Sequence, residues 1–175
     1  MAIDPQLRVP RRPPRWAASA LLAASLAVPA RAAADDACPE AGTAIVVEAG
    51  SHTLWLCGDG VAVARFPVAL GRGGLDKREK GDGKTPAGAY ALGAPRPSAR
   101  FGLFIPVAYP TPAQRDRGYT GGAVGIHGPH RRMRWAGEAN TWSDWTDGCI
   151  ALASDEDLRR VAWFVRERTP PVFIR

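Results

Sequence analysis

Ala62, Ala64, Phe66, Val68 and Leu70 recur at every second position, the period that turns one side of an extended chain toward a core and the other toward water. That alternation predicts a half-buried strand. Just upstream, the runs Thr43 to Glu48 and Thr53 to Cys57 are β-branched, apolar or aromatic, and they flank Ala49-Gly50-Ser51 as the arms of a hairpin. The chain therefore begins as a meander. Thr85-Pro86-Ala87-Gly88 supplies a turn, because proline sets φ and glycine accepts a positive one, and Ala89 to Leu92 then reads as extended. Phe101 to Tyr109 is a further apolar run in which Pro106 removes a ladder donor, so it predicts an edge strand or a bend. Gly121 to Ile126 leads into His127 and sets that histidine at a strand end.

One helix is well signalled. Ser154 caps it, Asp155, Glu156 and Asp157 put negative charge at its positive dipole end, and Leu158, Val161, Ala162 and Val165 share one face. Arg166 and Arg168 suit the C-terminal end, and Pro170-Pro171 stops the helix before a short strand, Val172 to Ile174. Helices do not alternate with strands as a parallel α/β fold requires, so the class is mainly β, with this one C-terminal helix and short helical turns. Gly71 to Lys84 is glycine-rich and mixes Arg72, Lys77, Arg78, Lys80 and Lys84 with Asp76, Glu79 and Asp82; it reads as a solvated loop.

The first residues belong to a different problem. Arg8, Arg11, Arg12 and Arg15 precede an apolar, alanine-rich stretch from Trp16 to Val28, and Ala30-Arg31-Ala32 has the small-x-small pattern of a signal-peptidase site. This predicts an export signal over 1–32 and one domain over 33–175, delivered to the periplasm or cell envelope. The apolar run is short of the roughly 20 residues of a comfortable span, so the membrane is met only through the export signal; an uncleaved anchor is the alternative. The chain carries a net +6, and the signal segment holds five arginines against Asp4. Only about +2 is left after cleavage, and with no basic helix, aromatic RNA-binding stripe or metal-finger spacing the chain does not read as a nucleic-acid binder.

Three cysteines in an exported chain predict one bridge and one free thiol. Cys38 and Cys57 are placed to pin the N-terminus to the first strands; the alternative leaves Cys57 simply buried. Cys149 is then unpaired. It sits in Thr146-Asp147-Gly148-Cys149-Ile150, downstream of Gly125-Ile126-His127-Gly128. A thiol of pKa about 8.5 needs an imidazole nearby to act as a nucleophile near neutrality, which makes His127 the candidate base. Gly148 lets the backbone approach a reacting carbonyl, so the amides of Gly148 and Cys149 are candidates for an oxyanion hole. The plainer reading makes Cys149 a small buried apolar residue and His127 a hydrogen-bonded core histidine.

Gly83-Lys84-Thr85-Pro86-Ala87-Gly88-Ala89-Tyr90, Ile126-His127-Gly128 and Gly148-Cys149-Ile150, in this order and behind an export signal, resemble the L,D-transpeptidase catalytic domain of bacterial cell-wall enzymes. The resemblance covers nearly all of the chain after the signal segment. It implies a mostly β-stranded, sandwich-like domain with Cys149 as nucleophile facing His127, the general base and then acid, across a cleft. Gly128 would help orient the histidine, Gly148 would belong to the oxyanion hole, and Thr146 matches a serine or threonine of the family. The implied partner is a peptidoglycan stem peptide, attacked at the L-centre of its third residue with loss of D-alanine and transfer to an amine of a neighbouring stem. No cofactor is implied.

Two departures stand out: Asp147 where many members carry histidine, and Ala151 where they carry an arginine suited to pairing with a carboxylate. The stretch between His127 and Cys149 is long and holds Arg131, Arg132, Arg134, Trp135, Trp142 and Trp145. Either it forms a lid whose arginines Arg131, Arg132 and Arg134 bind substrate carboxylates, or its tryptophans pack under a loop with solvated arginines. A metal site of His127, His130 and Cys149 is disfavoured, since coordination would consume the thiolate. Transfer to an amine, hydrolysis of the thioester as a carboxypeptidase or amidase, and a silent wall-binding module are the three readings that the residues leave open.

Overall fold

The computed structural model describes residues 37–175, so the expected export signal lies outside the described residues. Nine strands form one sheet in the order β4-β9-β1-β2-β3-β8-β7-β6-β5. The expected hairpin is β1 (Thr43–Glu48) with β2 (Thr53–Gly58), in register from Thr43 opposite Gly58 to Glu48 opposite Thr53. The alternating run is β3 (Val61–Ala69), antiparallel to β2 along most of its length and to β8 (Ile150–Leu152) at its far end. Because β3 serves both halves, the strands make one continuous curled sheet where the resemblance implied a sandwich of two.

The hairpin strands are buried on both sides for a reason visible in their register. Ile45, Val47, Leu54 and Leu56 face the main core, whereas Ala44, Val46, Trp55 and Cys57 face a smaller cluster that Ala37 completes. Cys38 and Cys57 are disulfide-bonded, so the chain entering β1 is tied over that second cluster. β9 (Val172–Ile174) runs parallel to β1 and antiparallel to β4 (Gly88–Tyr90), closing this half.

The other half carries the site. β5 (Arg96–Ser98) pairs with β6 (Gly102–Pro106), β6 with β7 (Gly125–His127), and β7 runs parallel to β8. β6 is thus an interior strand, and the expected edge is β5; Pro106 is tolerated because it ends its strand. The C-terminal helix forms as expected, now labelled α2 (Asp155–Arg168), with the Ser154 hydroxyl accepting from the Asp157 amide at 3.1 Å. Leu158, Val161, Ala162, Phe164 and Val165 bury its inner face in the main core. Fully burying a side chain of this size contributes about 1.5–3 kcal/mol.

The expected short helical turns appear at two places the sequence did not mark, and one loop expectation is corrected. A short helix, α1 (Pro112–Asp116), starts at Thr111 with a reciprocal capping box to Gln114 and proline in its first turn. The long connection after β7 contains 3-10 turns over Arg131–Thr141, broken at Gly137 and pinned by the buried Asn140, whose side-chain amide donates to the carbonyls of Met133 and Gly137. The charged Gly71 to Lys84 stretch is not a solvated loop throughout: Lys77 is buried and paired with Asp82, and the Gly71 amide donates to the Thr85 hydroxyl. Among the described residues, no helix is long and apolar enough to cross a membrane.

The disulfide closes a loop with a sequence separation of 19 residues, for which chain-entropy arguments give about 3 kcal/mol. Replacing Cys38 with serine is expected to lower Tm by about 10 °C in a thermal melt, while Cys149 remains titratable with a thiol reagent.

Candidate active site

Cys149 immediately precedes β8 and His127 ends β7. The two strands are parallel, with Ile126 opposite Ile150 and His127 opposite Ala151. Side chains two residues apart on a strand share a face, so Cys149 and Ala151 point the same way, and His127 shares that face with its partner Ala151. Cys149 and His127 are therefore diagonal neighbours on adjacent strands. Both line one cleft of about 560 Å³.

The imidazole is held on several sides. Phe101 stacks on it at 3.7 Å between centroids, Trp145 lies 5.8 Å away, and the ring is 1% exposed. Its Nδ1 lies 2.7 Å from the Gly128 carbonyl oxygen. A carbonyl only accepts, so Nδ1 carries the proton and Nε2 keeps a lone pair. Burial lowers the His127 pKa to about 4; the Gly128 hydrogen bond opposes the shift and Arg100 adds to it.

Cys149 is the free cysteine, and its thiol donates to the Ala123 carbonyl oxygen at 3.6 Å. Burial raises its pKa, assisted by Asp147, against a lowering contact with the Gly125 backbone and the charges of Lys77 and Arg100. The resting pair is consequently neutral thiol and neutral imidazole. A thiol and an imidazole both at rest in their neutral forms have the chemistry for a proton transfer from sulfur to Nε2.

Thr146 organises the turn between the cleft wall and Cys149. Its amide donates to the Leu70 carbonyl at 3.1 Å, its hydroxyl donates to the Cys149 carbonyl at 2.7 Å, and the same oxygen accepts the Gly148 amide at 3.1 Å. That last bond commits the Gly148 N–H to Thr146, which leaves the Cys149 amide as the other of the two candidates read from the sequence. Gly148 matters for shape instead: its φ is +120°, and a Cβ there would overlap the Lys84 carbonyl oxygen.

Of the arginines read as substrate ligands, Arg131, Arg132 and Arg134 are exposed and line no part of this cleft. Arg134 instead pairs with Asp155 at the start of α2, at 2.9 Å. The cleft's own arginines are Arg96 and Arg100, on β5 and the turn after it, lying over Phe104 and Phe101 at 5.3 and 5.4 Å from the ring centroids. Sequence reasoning missed them because β5 is three residues long with a central proline. Trp145 lines the cleft, whereas Trp135 and Trp142 are each 81% exposed, so the long connection is only partly a wall. Among the described residues no group of three His, Cys, Asp or Glu side chains is placed to hold a metal ion.

The model of the L,D-transpeptidase catalytic domain family, YkuD, matches residues 42–174. The chain belongs to this family. Its fold is similar to that of the helical cell shape determining protein Pgp2 from Campylobacter jejuni, with TM-score 0.60, 23% identity, and coverage of 76% of this chain and 47% of that one. It is likewise similar to an L,D-transpeptidase from Mycobacterium smegmatis, with TM-score 0.52, 17% identity, and coverage of 77% and 59%. The chain thus spans about half the length of these relatives. None of the curated proteins matches it. Within the L,D-transpeptidase domain, Ala151 is fully buried between His127 and Ala69, and its short side chain lines no part of the cleft. Asp147 is exposed and pairs with Arg72 at 2.7 Å.

Two outcomes follow from this geometry. Gly148→Ala is expected to lose about 1–3 kcal/mol in chemical denaturation, and to slow alkylation of Cys149 by displacing its turn. The unfolded chain takes up the His127 proton near pH 6.5 but the folded chain only near 4, so stability is complete above about 6.5 and declines as pH falls toward 4. His127→Gln should flatten that part of the profile of denaturation midpoint against pH; an unchanged slope would contradict the burial argument.

Proposed function

We propose that this chain is an exported, cysteine-dependent acyltransferase of peptidoglycan, an L,D-transpeptidase that joins stem peptides in the periplasm or cell envelope. The observation that carries the reading is the free Cys149 set diagonally to a neutral, Nδ1-protonated His127 in one cleft. In the first step Sγ attacks the carbonyl carbon at the L-centre of the stem's third residue while its proton passes to Nε2 of His127. The amide of Cys149 faces the charge that gathers on the carbonyl oxygen. Collapse breaks the bond to D-alanine, whose amine leaves with the proton from His127, and a thioester is left on Cys149. An amine of a second stem then attacks the thioester, loses its proton to His127, and releases the thiol as the new amide forms. No cofactor enters any step.

Arg96 and Arg100 are suited to the carboxylates of such peptides, in the place of the arginine that Ala151 lacks. The likeness to a cell shape determining protein agrees with work on the wall. The segment 1–32 is proposed as the export signal. A hydrolytic second reading is favoured by one observation: Cys149 is only partly buried in an open cleft, so water has a route to the thioester.

Mass spectrometry of muropeptides incubated with the protein tests both. A joined dimer together with free D-alanine supports transfer, and a shortened stem alone supports hydrolysis. Cys149→Ala is expected to lose turnover by about three orders of magnitude or more while keeping its fold. Release of D-alanine by that folded variant at the original rate would sink the covalent mechanism.

A further inference from the structure

Lys77 is a buried cation that the proposed reaction leaves idle. It is 4% exposed, and its Nζ donates to Asp82 Oδ1 at 2.6 Å and to the Glu79 carbonyl at 3.0 Å. Its stem runs through a narrow place. A Cβ on Gly148 would come within 3.6 Å of Lys77 Cδ, and a Cβ on Gly121 within 3.3 Å of Lys77 Cε. Gly148 precedes Cys149, and Gly121 opens the short run ending at Ala123, whose carbonyl receives the thiol. One side chain therefore touches both strips that hold the sulfur.

The lysine itself is fixed from three directions. Tyr109 donates its hydroxyl to the Lys77 carbonyl at 2.9 Å, and burial pushes the Tyr109 pKa up to about 12, so that donor keeps its proton. The Lys77 amide donates to the Thr85 carbonyl at 3.3 Å. Burial works against the Asp82 carboxylate, but hydrogen bonds from Lys77 and from the amides of Glu79, Lys84 and Arg78 hold its pKa well below the usual carboxylate range. The Asp82 carboxylate therefore stays ionised opposite the Lys77 ammonium.

We propose that Lys77 is a positioning residue for Cys149: its stem, packed between Gly121 and Gly148, holds the nucleophile turn against the Ala123 strip, and its fixed ammonium adds a positive charge to the surroundings of the thiol. The proposal rests on the reading of Cys149 as nucleophile. Sulfur meets four other influences: His127 from β7, Arg100 from the turn after β5, Asp147 from its own turn, and the charge of Lys77 from the Gly71 to Lys84 stretch. Lys77 and Arg100 favour the thiolate and Asp147 opposes it. Around the lysine stand Asp82 and the Tyr109 hydroxyl, with Arg72 and Lys80 along the adjoining groove. A nearby positive charge lowers a thiol pKa, and Lys77 is buried and pinned by Asp82 and the Glu79 carbonyl, whereas Arg100 is exposed.

The rate of Cys149 alkylation by iodoacetamide, followed against pH, tests this without peptidoglycan, with Cys149→Ala as the blank. A failure of the wall-enzyme reading would appear in the muropeptide products and leave this titration untouched. Lys77→Gln keeps an amide able to donate to Asp82 and Glu79 but removes the charge. Its alkylation midpoint is expected to rise by about half to one pH unit, with the rate at pH 7 falling about three- to tenfold. A purely structural lysine would change the melting temperature and leave the midpoint still, so an unmoved midpoint in a folded Lys77→Gln protein overturns the proposal. Should that variant not fold, Asp82→Asn probes the same charge from its partner's side: the midpoint falls as the lysine loses its neutralising neighbour, and a midpoint that stays or rises overturns the proposal equally.

Discussion

The parallel pairing of β7 with β8 is the constraint on which the rest of the site depends. A parallel ladder fixes register along both strands, and a slip of one residue would turn His127 to the opposite face from Cys149. The register Ile126 to Ile150 and His127 to Ala151 prevents this. Flanking strands supply the support: β3 holds Ala151 and Leu152 from one side, and β6 holds Gly125 to His127 from the other. A bulky residue at Gly125 would meet the Phe104 ring and the Ile105 carbonyl, so this close approach also explains the glycine that opens the histidine strand.

Burial then shapes the chemistry that the register makes possible. The His127 ring lies between aromatic side chains with one nitrogen tied to a carbonyl, so it has neither rotational freedom nor an easy route to a standing positive charge. The sulfur is likewise kept from ionising alone. Both groups therefore rest uncharged. Thr146 and the Gly71 to Lys84 stretch fix the turn on which the sulfur sits, joined through Leu70 and Thr85 to the end of β3. A segment whose composition reads as surface loop is in fact the backing of the proposed nucleophile.

Elements with a local signal were legible in the sequence. The alternation in β3, the hairpin composition of β1 and β2, and the cap, dipole and apolar face of α2 each need only neighbours within a few residues. The Cys38 to Cys57 bridge was legible by counting thiols. The start of α1 was equally local, since Thr111-Pro112-Ala113-Gln114 spells a capping box, yet it was overlooked because the helix has only five residues and buries none. Residues acting through a distant partner escaped. Lys77 reads as one more surface charge until Asp82 and the backbone around it satisfy the ammonium, and Arg134 reads as a substrate ligand until Asp155 claims it.

By itself the sequence determined which residues have reactive chemistry, and which short stretches prefer extended or helical backbone, because both properties belong to individual side chains and their near neighbours. Tertiary structure alone decided which charges face the cleft, which backbone amide Thr146 engages, and whether thiol and imidazole rest neutral. Those outcomes depend on strand register, on solvent exclusion and on partners tens of residues away, and none of these is a property of a local run of amino acids.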